Sequence, residues 1–182
     1  AELIAYLYSN FNLTSNEKNA PKLILSKGHS VPIIYAVLYE LGYLSDDDIS
    51  KFREINSPLQ GHPDKIRLKY LHATTGSLGQ GLSIAIGHAI GLKLIKSSNP
   101  CFCIVGDGEI QEGQIWEGLM VAPKFKLNNL VLFVDCNGSQ NDGFVKDTLN
   151  IEPLKDKILA FNWNVVKIFG HDVDEIEKAV KD

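Results

Sequence analysis

Two short apolar runs lie on either side of a helix-length segment in the middle of the chain. The runs are CFCIV at 101–105 and LVLFVD at 130–135. Continuous apolar runs of this length are typical of strands that are buried on both faces. The order of strand, helix and strand predicts a βαβ unit, in which the two strands are parallel neighbours.

Similar patterns predict the elements on both sides of this unit. Pro32 suits a first helical turn and Ser30 suits an N-cap, so a helix is expected to begin near Val31 or Pro32 and to end at Gly42. Ser45 is expected to cap the next, acidic helix. The predicted helices cover 1–8, 31–41, 46–55, 79–96, about 112–123, 151–161 and 173–182, and the outer predicted strands cover 23–25 and 164–169.

The alternation of strands and helices predicts an α/β fold. Its sheet should be mainly parallel, with helices covering both faces. The helix at 79–96 is apolar nearly all round, and Gly81, Gly87 and Gly91 offer small contact points along it. Such a helix is expected to be buried, either in the core or in a subunit interface.

Length and composition narrow the class of protein. With 182 residues, the chain fits a single domain, 1–182, with a substantial core. The net charge of −4 shows no basic excess, so nucleic acid is not an expected partner. No apolar run reaches the roughly 18 residues of a membrane span, and the polar start does not resemble a signal peptide. A cytoplasmic location is therefore expected.

The three cysteines, Cys101, Cys103 and Cys136, are predicted to be core thiols in a reducing compartment. Two of them share one face of the first strand of the βαβ unit, and the third ends its second strand. No cysteine or histidine pair has the spacing of a zinc site.

Asp107 and Asn137 follow the two strands of the βαβ unit. They are 137 − 107 = 30 positions apart and should meet at the carboxyl edge of the sheet, where open α/β sheets bind ligands. A carboxylate and an amide oxygen suit Mg²⁺, which also takes phosphate oxygens. Gly106 and Gly108 would let the backbone approach a phosphate closely. This pattern predicts a Mg²⁺–diphosphate site.

The motifs around this site resemble those of the transketolase family, in its N-terminal, cofactor-binding domain. The matching phrases are GDGEIQEGQIWE, KLNNL and NGSQNDG. The resemblance implies that thiamine diphosphate and Mg²⁺ bind here, with Asp107, Asn137 and the Ser139 carbonyl as metal ligands. Cys136 departs from the asparagine that many relatives have. Pro123 replaces an alanine late in the helix and is expected to kink or shorten it.

Two histidines also lie in family-like phrases. His29 follows the LSKG run, and His62 lies in GHPD before TTGSLGQG. The resemblance implies that His29 faces the diphosphate and the reacting carbons, and that His62 faces the sugar hydroxyls. Without the resemblance, each histidine could equally be an ordinary polar residue in a turn. The loop of Gly76, Ser77 and Leu78 would hold the central part of the cofactor through its backbone.

Two acids on the helix after GDG have two interpretations. Glu112 and Glu117 are five positions apart and lie only loosely on one side of that helix. They are either solvated acids or, by resemblance, groups that meet a partner subunit near the pyrimidine ring of the cofactor. His88, where relatives often have methionine, is assigned to packing.

The resemblance implies an N-terminal subunit of a transketolase, which would move a two-carbon ketol unit from a ketose phosphate to an aldose. The family's second, pyrimidine-binding domain carries the glutamate that activates the cofactor, and the sequence shows no match to it. We therefore expect ends that are clipped relative to the family, and activity only in a homo- or hetero-oligomer with a pyrimidine-domain subunit.

Two alternatives remain open at this stage. One is a subunit of another thiamine-diphosphate enzyme, similar to deoxyxylulose-phosphate synthase or an oxo-acid dehydrogenase, or a specialised two-carbon transferase. The other is a catalytically silent, partner-binding protein. The QEGQIWE and KLNNL phrases favour transketolase over the first, and the retained Asp107, Asn137, His29 and His62 disfavour the second.

Overall fold

The computed structural model describes residues 1–181. Short 3₁₀ turns at Gly28–Ser30 and Gly108–Gln111 precede two of its helices. The strands are β1 (Lys22–Leu25), β2 (Cys101–Gly106), β3 (Leu130–Asp135), β4 (Ser139–Gln140) and β5 (Gly143–Phe144). The helices are α1 (Glu2–Asn10), α2 (Pro32–Glu40), α3 (Asp46–Ser50), α4 (Gln80–Leu94), α5 (Gly113–Lys124), α6 (Val145–Thr148), α7 (Leu154–Ala160) and α8 (Val173–Lys181).

The central sheet has the strand order β1-β2-β3, and both pairings are parallel. Cys101 pairs with Leu130 and Gly106 pairs with Asp135, so the predicted βαβ unit is confirmed. Because all three strands run the same way, their carboxyl ends meet at one edge. The GDG turn leaves the sheet at that edge, beside the turn that follows β3.

Helices cover both faces of this sheet, as predicted. Alternate residues along each strand point to opposite faces. Cys101, Cys103 and Val105 join the core beneath α4, α5 and α7. Phe102 and Ile104 join a second core, which packs beneath α1 and α2. β1 and β2 are therefore buried on both sides, which explains their continuous apolar runs, whereas most residues of β3 are only partly buried.

Several element ends differ from their predictions. Ser30 does not cap α2, because it lies in a 3₁₀ turn and its hydroxyl donates to the Lys27 carbonyl at 2.8 Å. Ser45 does cap α3, in a capping box with Asp48. That helix ends at Ser50, five residues early, and Arg53 beyond it adopts a left-handed φ of 66°.

The predicted third strand at 164–169 is absent from residues 1–181, and this prediction was wrong. The segment makes no ladder hydrogen bonds in the described part of the chain, and Val166 and Phe169 are largely exposed. Only Trp163 and Val165 pack partly onto the core. An apolar, β-branched run forms a strand only where it finds a partner edge, so the sequence pattern alone was insufficient.

Pro123 lies inside the last turn of α5, which ends one residue later at Lys124. Proline has no backbone N–H and cannot bond to the carbonyl four residues before it, which is that of Leu119. The Trp163 indole N–H donates to this carbonyl instead, at 2.9 Å. The side chain thereby satisfies the group that proline leaves free and ties the chain after α7 to α5.

The apolar helix α4 is buried along one face, through residues such as Leu82, Ala85 and Ala89. Gly81 is a true contact point, because a Cβ there would lie 2.3 Å from the Ser26 side chain. A Cβ on Gly87 or Gly91 would meet nothing within 4 Å among the described residues, so these two glycines make no core contact, and a subunit interface at this face of α4 stays a prediction.

Cys101 and Cys103 are buried thiols, as predicted, whereas Cys136 is exposed. The assignment of Cys136 to the core was wrong because β3 ends at Asp135, so this residue already belongs to the following turn. Within residues 1–181, the helices are too short or too polar to cross a membrane.

His72 is a buried histidine whose ring connects the loop before α4 to β1. Its Nδ1 accepts a hydrogen bond from the Leu23 backbone N–H at 3.0 Å. Burial, followed by the charge of Lys22, lowers the pKa of His72 to about 4. The folded protein therefore holds this ring neutral at pH values where an unfolded chain would protonate it.

This shift predicts a loss of stability at acidic pH. A pKa of about 4 in the folded state lies below the unfolded value, so the contribution is complete above about pH 6.5 and declines as the pH falls towards 4. Between pH 7 and pH 5, the free energy of unfolding should fall by roughly 2 kcal/mol more in the parent than in His72→Asn, which keeps an acceptor but does not titrate. Urea denaturation at both pH values measures this, and equal losses would contradict it.

Candidate active site

A buried carboxylate, that of Glu109, connects three elements at the carboxyl edge of the sheet. Its Oε1 accepts from the Ser26 hydroxyl after β1 and from the Gly79 N–H before α4, the latter at 2.9 Å. Its Oε2 accepts from the Gly106 N–H at the end of β2, at 3.1 Å. The Ser26 hydroxyl oxygen in turn accepts from the Gly81 N–H at 3.1 Å. This network fixes the loop before α4 against the GDG turn.

Asp107 lies beside this network and is also buried. Its Oδ1 accepts from the Gly108 N–H at 2.8 Å, and its Oδ2 accepts from the Gly138 N–H at 2.6 Å. The second contact joins the GDG turn to the turn after β3. The carboxyl ends of adjacent strands therefore come together, as the sequence predicted.

Asn137 occupies the exposed turn next to this carboxylate. Its side-chain oxygen accepts from the Ser139 N–H at 2.9 Å, which shapes the turn into β4. Ser139 pairs with Phe144 in the small β4–β5 hairpin. The hairpin, which the sequence analysis did not predict, holds Asn137 and Ser139 in one turn beside Asp107.

A partly buried ion pair ties the ends of β1 and β3 together. The Lys27 ammonium lies 2.5 Å from the Asp135 carboxylate, and the lysine side chain is 10% exposed. Because β2 lies between these strands, the pair spans the whole carboxyl edge. It places a cation close to the predicted diphosphate position, where it would complement negative charge.

His29 and His62 lie together above this edge, although both are exposed. A Cβ on Gly28 would come within 3.1 Å of His62 Cδ2, and a Cβ on Gly76 within 3.2 Å of the same atom. A side chain at Gly28 would be tight against Gly76 and His62, and Gly76 has a φ of 152° that L side chains rarely adopt, so both positions favour glycine where these loops meet. The pKa of His29 is lowered by partial burial, then by the charges of Lys27 and His62. At neutral pH, His29 is a neutral donor or acceptor.

Hydrogen bonds to the backbone hold the loop of His62 in place. The Tyr35 hydroxyl donates to the Gln60 carbonyl at 2.9 Å. The Thr75 N–H donates to the Pro63 carbonyl at 3.2 Å, and its hydroxyl donates to the Leu25 carbonyl at 2.6 Å. His62 is thus anchored on both sides, and the TTG loop is fixed to the end of β1.

The predicted cofactor loop lies between these groups. Gly76 has a φ of 152°, and Ser77 and Leu78 are exposed to solvent. Glu112 is the N-cap residue of α5, and its Cβ would lie 2.8 Å from a Cβ on Gly79. The structure therefore brings Glu112 next to the loop, whereas Glu117 lies farther along α5 and is exposed.

The site has a donor set that fits a divalent cation with a diphosphate. Asp107 could supply one carboxylate, and the turn of Asn137 and Ser139 could supply amide and carbonyl oxygens, which are hard ligands suited to Mg²⁺. Among residues 1–181, no three histidine, cysteine or acidic side chains cluster closely enough to hold a metal ion by themselves. Gly106 and Gly138 face open space where a Cβ would lie, which leaves room for phosphate oxygens.

Sequence reasoning missed Glu109, Ser26 and the pair of Lys27 with Asp135. A usable signal existed for Glu109, because it directly follows GDG, at a strand end rich in unpaired backbone N–H groups. A carboxylate there has several donors within reach. Ser26 and Lys27 lie in the quoted SKGHS phrase, but their partners are more than 80 residues away, so only the fold could identify them.

Comparisons with known proteins match this geometry to one family. The family described as "Transketolase, thiamine diphosphate binding domain" matches residues 4–182. The 6-deoxy-6-sulfo-D-fructose transketolase subunit SqwG of Clostridium sp. (strain MSTE9) is 40% identical over 186 residues, covering 99% of this chain and 67% of the subunit. Human transketolase is 37% identical over 186 residues, covering 98% of this chain.

Solved structures show the same relationship. The crystal structure of transketolase from Campylobacter jejuni superimposes with a TM-score of 0.90 at 33% identity, over 98% of this chain. The present chain spans 30% of that protein and 29% of the human enzyme. It is therefore similar to the cofactor-binding part of single-chain transketolases and to most of a separate subunit.

The Glu109 network predicts a specific sensitivity of the fold. In Glu109→Gln, the side-chain NH₂ must face a backbone or hydroxyl donor, because all three partners of the carboxylate donate. The free energy of unfolding should fall by about 1–3 kcal/mol. Urea denaturation measures the effect, and Glu117→Gln, at an exposed position on α5, should change it by less than about 0.5 kcal/mol. Parent-like stability of Glu109→Gln would contradict the proposed role.

Proposed function

The chain belongs to the transketolase family, by its match to the thiamine-diphosphate-binding domain, and from this premise we propose that it is the N-terminal subunit of a Mg²⁺- and thiamine-diphosphate-dependent transketolase. In this role it binds the diphosphate end of the cofactor. It transfers a two-carbon ketol unit from a ketose to an aldose together with a pyrimidine-domain partner. The domain proposed is 1–182 as one unit.

The contact of Asp107 with Gly138 is the observation that carries this proposal. It brings a buried carboxylate to the turn that holds Asn137 and Ser139, at the edge where open α/β sheets bind ligands. Asp107, the Asn137 side chain and the Ser139 carbonyl would hold Mg²⁺. The backbone of Gly106 and Gly108 would face the diphosphate.

Residues at the mouth of the site would bind and orient the sugar. When bound, thiamine diphosphate supplies the carbanion chemistry of two-carbon transfer, and the protein positions the reacting groups. A neutral His29 can hydrogen-bond a hydroxyl or carbonyl oxygen near the diphosphate. His62, held at a fixed distance from Gly28 and Gly76, would contact the sugar hydroxyls. Gly76, Ser77 and Leu78 would pack along the middle of the cofactor.

The outer face of α5 supports a partner at this site. Glu112 and Glu117 are exposed there, and apolar side chains on or next to the same helix are exposed too, among them Met120 and Phe125. Exposed apolar patches commonly mark protein interfaces. A pyrimidine-domain subunit would cover this face and place Glu112 near the cofactor ring.

The donor sugar is the point on which two candidates differ. A ketose phosphate is the donor implied by the transketolase family as a whole. A sulfonated ketose is the second candidate, because the relative of which this chain spans 67% is named for 6-deoxy-6-sulfo-D-fructose. Both sugars end in an anionic group, so an assay should include each of them.

The metal ligand gives the first test of this proposal. Asp107→Asn removes the charge that offsets the cation but nearly preserves size. Calorimetric titration of the assembled complex with thiamine diphosphate, in the presence of Mg²⁺, should show affinity reduced about 10- to 100-fold or more. Asp142→Asn removes a charge from an exposed position after the same turn and should bind like the parent. If Asp107→Asn bound thiamine diphosphate with the affinity of the parent, the proposed metal site at Asp107 would be contradicted.

The dependence on a partner gives the second test. The isolated 182-residue chain, supplied with thiamine diphosphate, Mg²⁺, a ketose donor and an aldose acceptor, should show no ketol transfer above background in a coupled assay. Addition of the pyrimidine-domain subunit should restore turnover, because this chain would bind the diphosphate end of the cofactor and the added subunit would bind its pyrimidine end. Equal rates with and without this subunit would contradict the proposal, and so would no turnover in the complete mixture with either donor.

A further inference from the structure

An arginine beside the loop of His62 has no acidic partner among residues 1–181. The chain contains two arginines, Arg53 and Arg67. The Nε of Arg67 lies 3.3 Å from the Asp64 carboxylate, so these two residues form an ion pair. Arg53 is exposed, and no carboxylate of the described residues lies within 4.0 Å of its guanidinium. Its charge is therefore available to a bound anion.

The guanidinium of Arg53 rests against the residue that precedes His62. A Cβ built on Gly61 would lie 2.7 Å from Arg53 Nε and 2.9 Å from Arg53 Nη2. The guanidinium thus occupies the space that a side chain at position 61 would need. The ring of His62 packs in turn against Gly28 and Gly76. Arg53 therefore lies next to the loop whose histidine is proposed to contact the sugar hydroxyls.

Contacts at the backbone and at an aromatic ring support this side chain. Arg53 has a left-handed φ of 66°, and its N–H donates to the Leu59 carbonyl at 2.8 Å. Its guanidinium carbon lies 5.7 Å from the centre of the Phe52 ring, which packs edge-on against the ring of Tyr35. Left-handed backbone is unfavourable for a residue other than glycine, and such strain is concentrated at functional sites.

The chemistry of this group matches the end of the donor sugar. A guanidinium presents parallel N–H groups that bind two oxygens of a phosphate-like anion at once. Both candidate donors, the ketose phosphate and the sulfonated ketose, end in such an anion. Lys27 is the other cation near His29 and His62, and it already pairs with Asp135. Arg53 is therefore better placed than Lys27 to meet a second negative group at the mouth of the site.

We propose that Arg53 binds the phosphate or sulfonate end of the donor ketose and makes the site selective for anionic sugars. This inference rests on the proposed function, because it assigns one end of the donor to a residue of the same site. His62 would contact the hydroxyls of the sugar, and Arg53, beside Gly61, would hold its charged end. A donor that ends in a hydroxyl group gains nothing from this arginine.

The two arginines allow a direct binding measurement. With ¹⁵N in this chain alone, the assembled complex shows two arginine Nε–H signals, one from Arg53 and one from Arg67. Fructose 6-phosphate, 6-deoxy-6-sulfofructose and fructose are added separately at constant ionic strength. The Arg53 signal should shift and saturate with the two anionic sugars but not with fructose, while the Arg67 signal stays in place. No shift at Arg53, or an equal shift at Arg67 or with fructose, would overturn the proposal.

Three variants test selectivity in the assembled complex with the same sugars as donors. Arg53→Asn removes the charge and suits the left-handed backbone. Its kcat/KM should fall about 10- to 100-fold for the anionic donors and stay within about two-fold for fructose. Arg53→Lys keeps the charge but loses the paired N–H groups, so its loss should be intermediate. Arg67→Gln, whose charge is already paired with Asp64, should match the parent with all three donors.

The outcomes also separate this proposal from the proposed function. A loss with one anionic donor and not the other supports a role for Arg53 and identifies the anion. An equal loss with all three donors would show that Arg53 only positions the His62 loop, and unchanged kinetics would show that it does not meet the donor; either result overturns the proposal. If the parent complex turns over none of the donors, the proposed function fails, and the Arg53 signal still decides whether this residue binds the anion.

Discussion

The Glu109 carboxylate is the contact on which the candidate active site depends. A buried charge is tolerated only where hydrogen bonds replace its hydration, and here three donors from three separate elements do so. The carboxylate thereby fixes the end of β1, the loop before α4 and the GDG turn in one arrangement. The loop that would hold the cofactor and the turn that would hold the metal are positioned by a residue that need not touch either ligand.

The remaining geometry follows from that fixed edge. Asp107 draws in the turn after β3 through Gly138, and Lys27 reaches across β2 to Asp135. Both contacts lie where the strands leave the sheet, with Gly106 paired to Asp135 at the ends of β2 and β3 and Lys27 two residues beyond the end of β1. The loops that carry His29 and His62 then meet over Gly28 and Gly76, where a Cβ would come within 3.0 to 3.2 Å of the nearest atoms. The site is therefore formed jointly by the loops that leave the carboxyl edge of the sheet, and no single loop forms it alone.

Most of the fold could be predicted from the sequence because apolar runs and capping residues act on their near neighbours in the chain. The apolar runs of β2 and β3 and the Ser45 capping box each depend on neighbours in the chain. The failure at 164–169 is different in kind, since the outer edge of β3 is unpaired among the described residues and the segment still does not join it. An apolar run becomes a strand only when the fold brings it into register with such an edge, which the local pattern does not encode. Asp107 and Asn137 were predictable from their positions after strands, whereas the partners of Glu109 and Lys27 depend on contacts between distant parts of the chain.

Paramagnetic broadening by Mn²⁺, used in place of Mg²⁺, tests the location of the metal most directly. With thiamine diphosphate present, Mn²⁺ should broaden the backbone amide signals of Gly108 and Gly138, because both N–H groups bond to the Asp107 carboxylate. The amide of Cys101, at the opposite end of β2, should remain sharp. Broadening confined to the Cys101 end, or no selective broadening at Gly108 and Gly138, would contradict a metal-diphosphate site at the carboxyl edge.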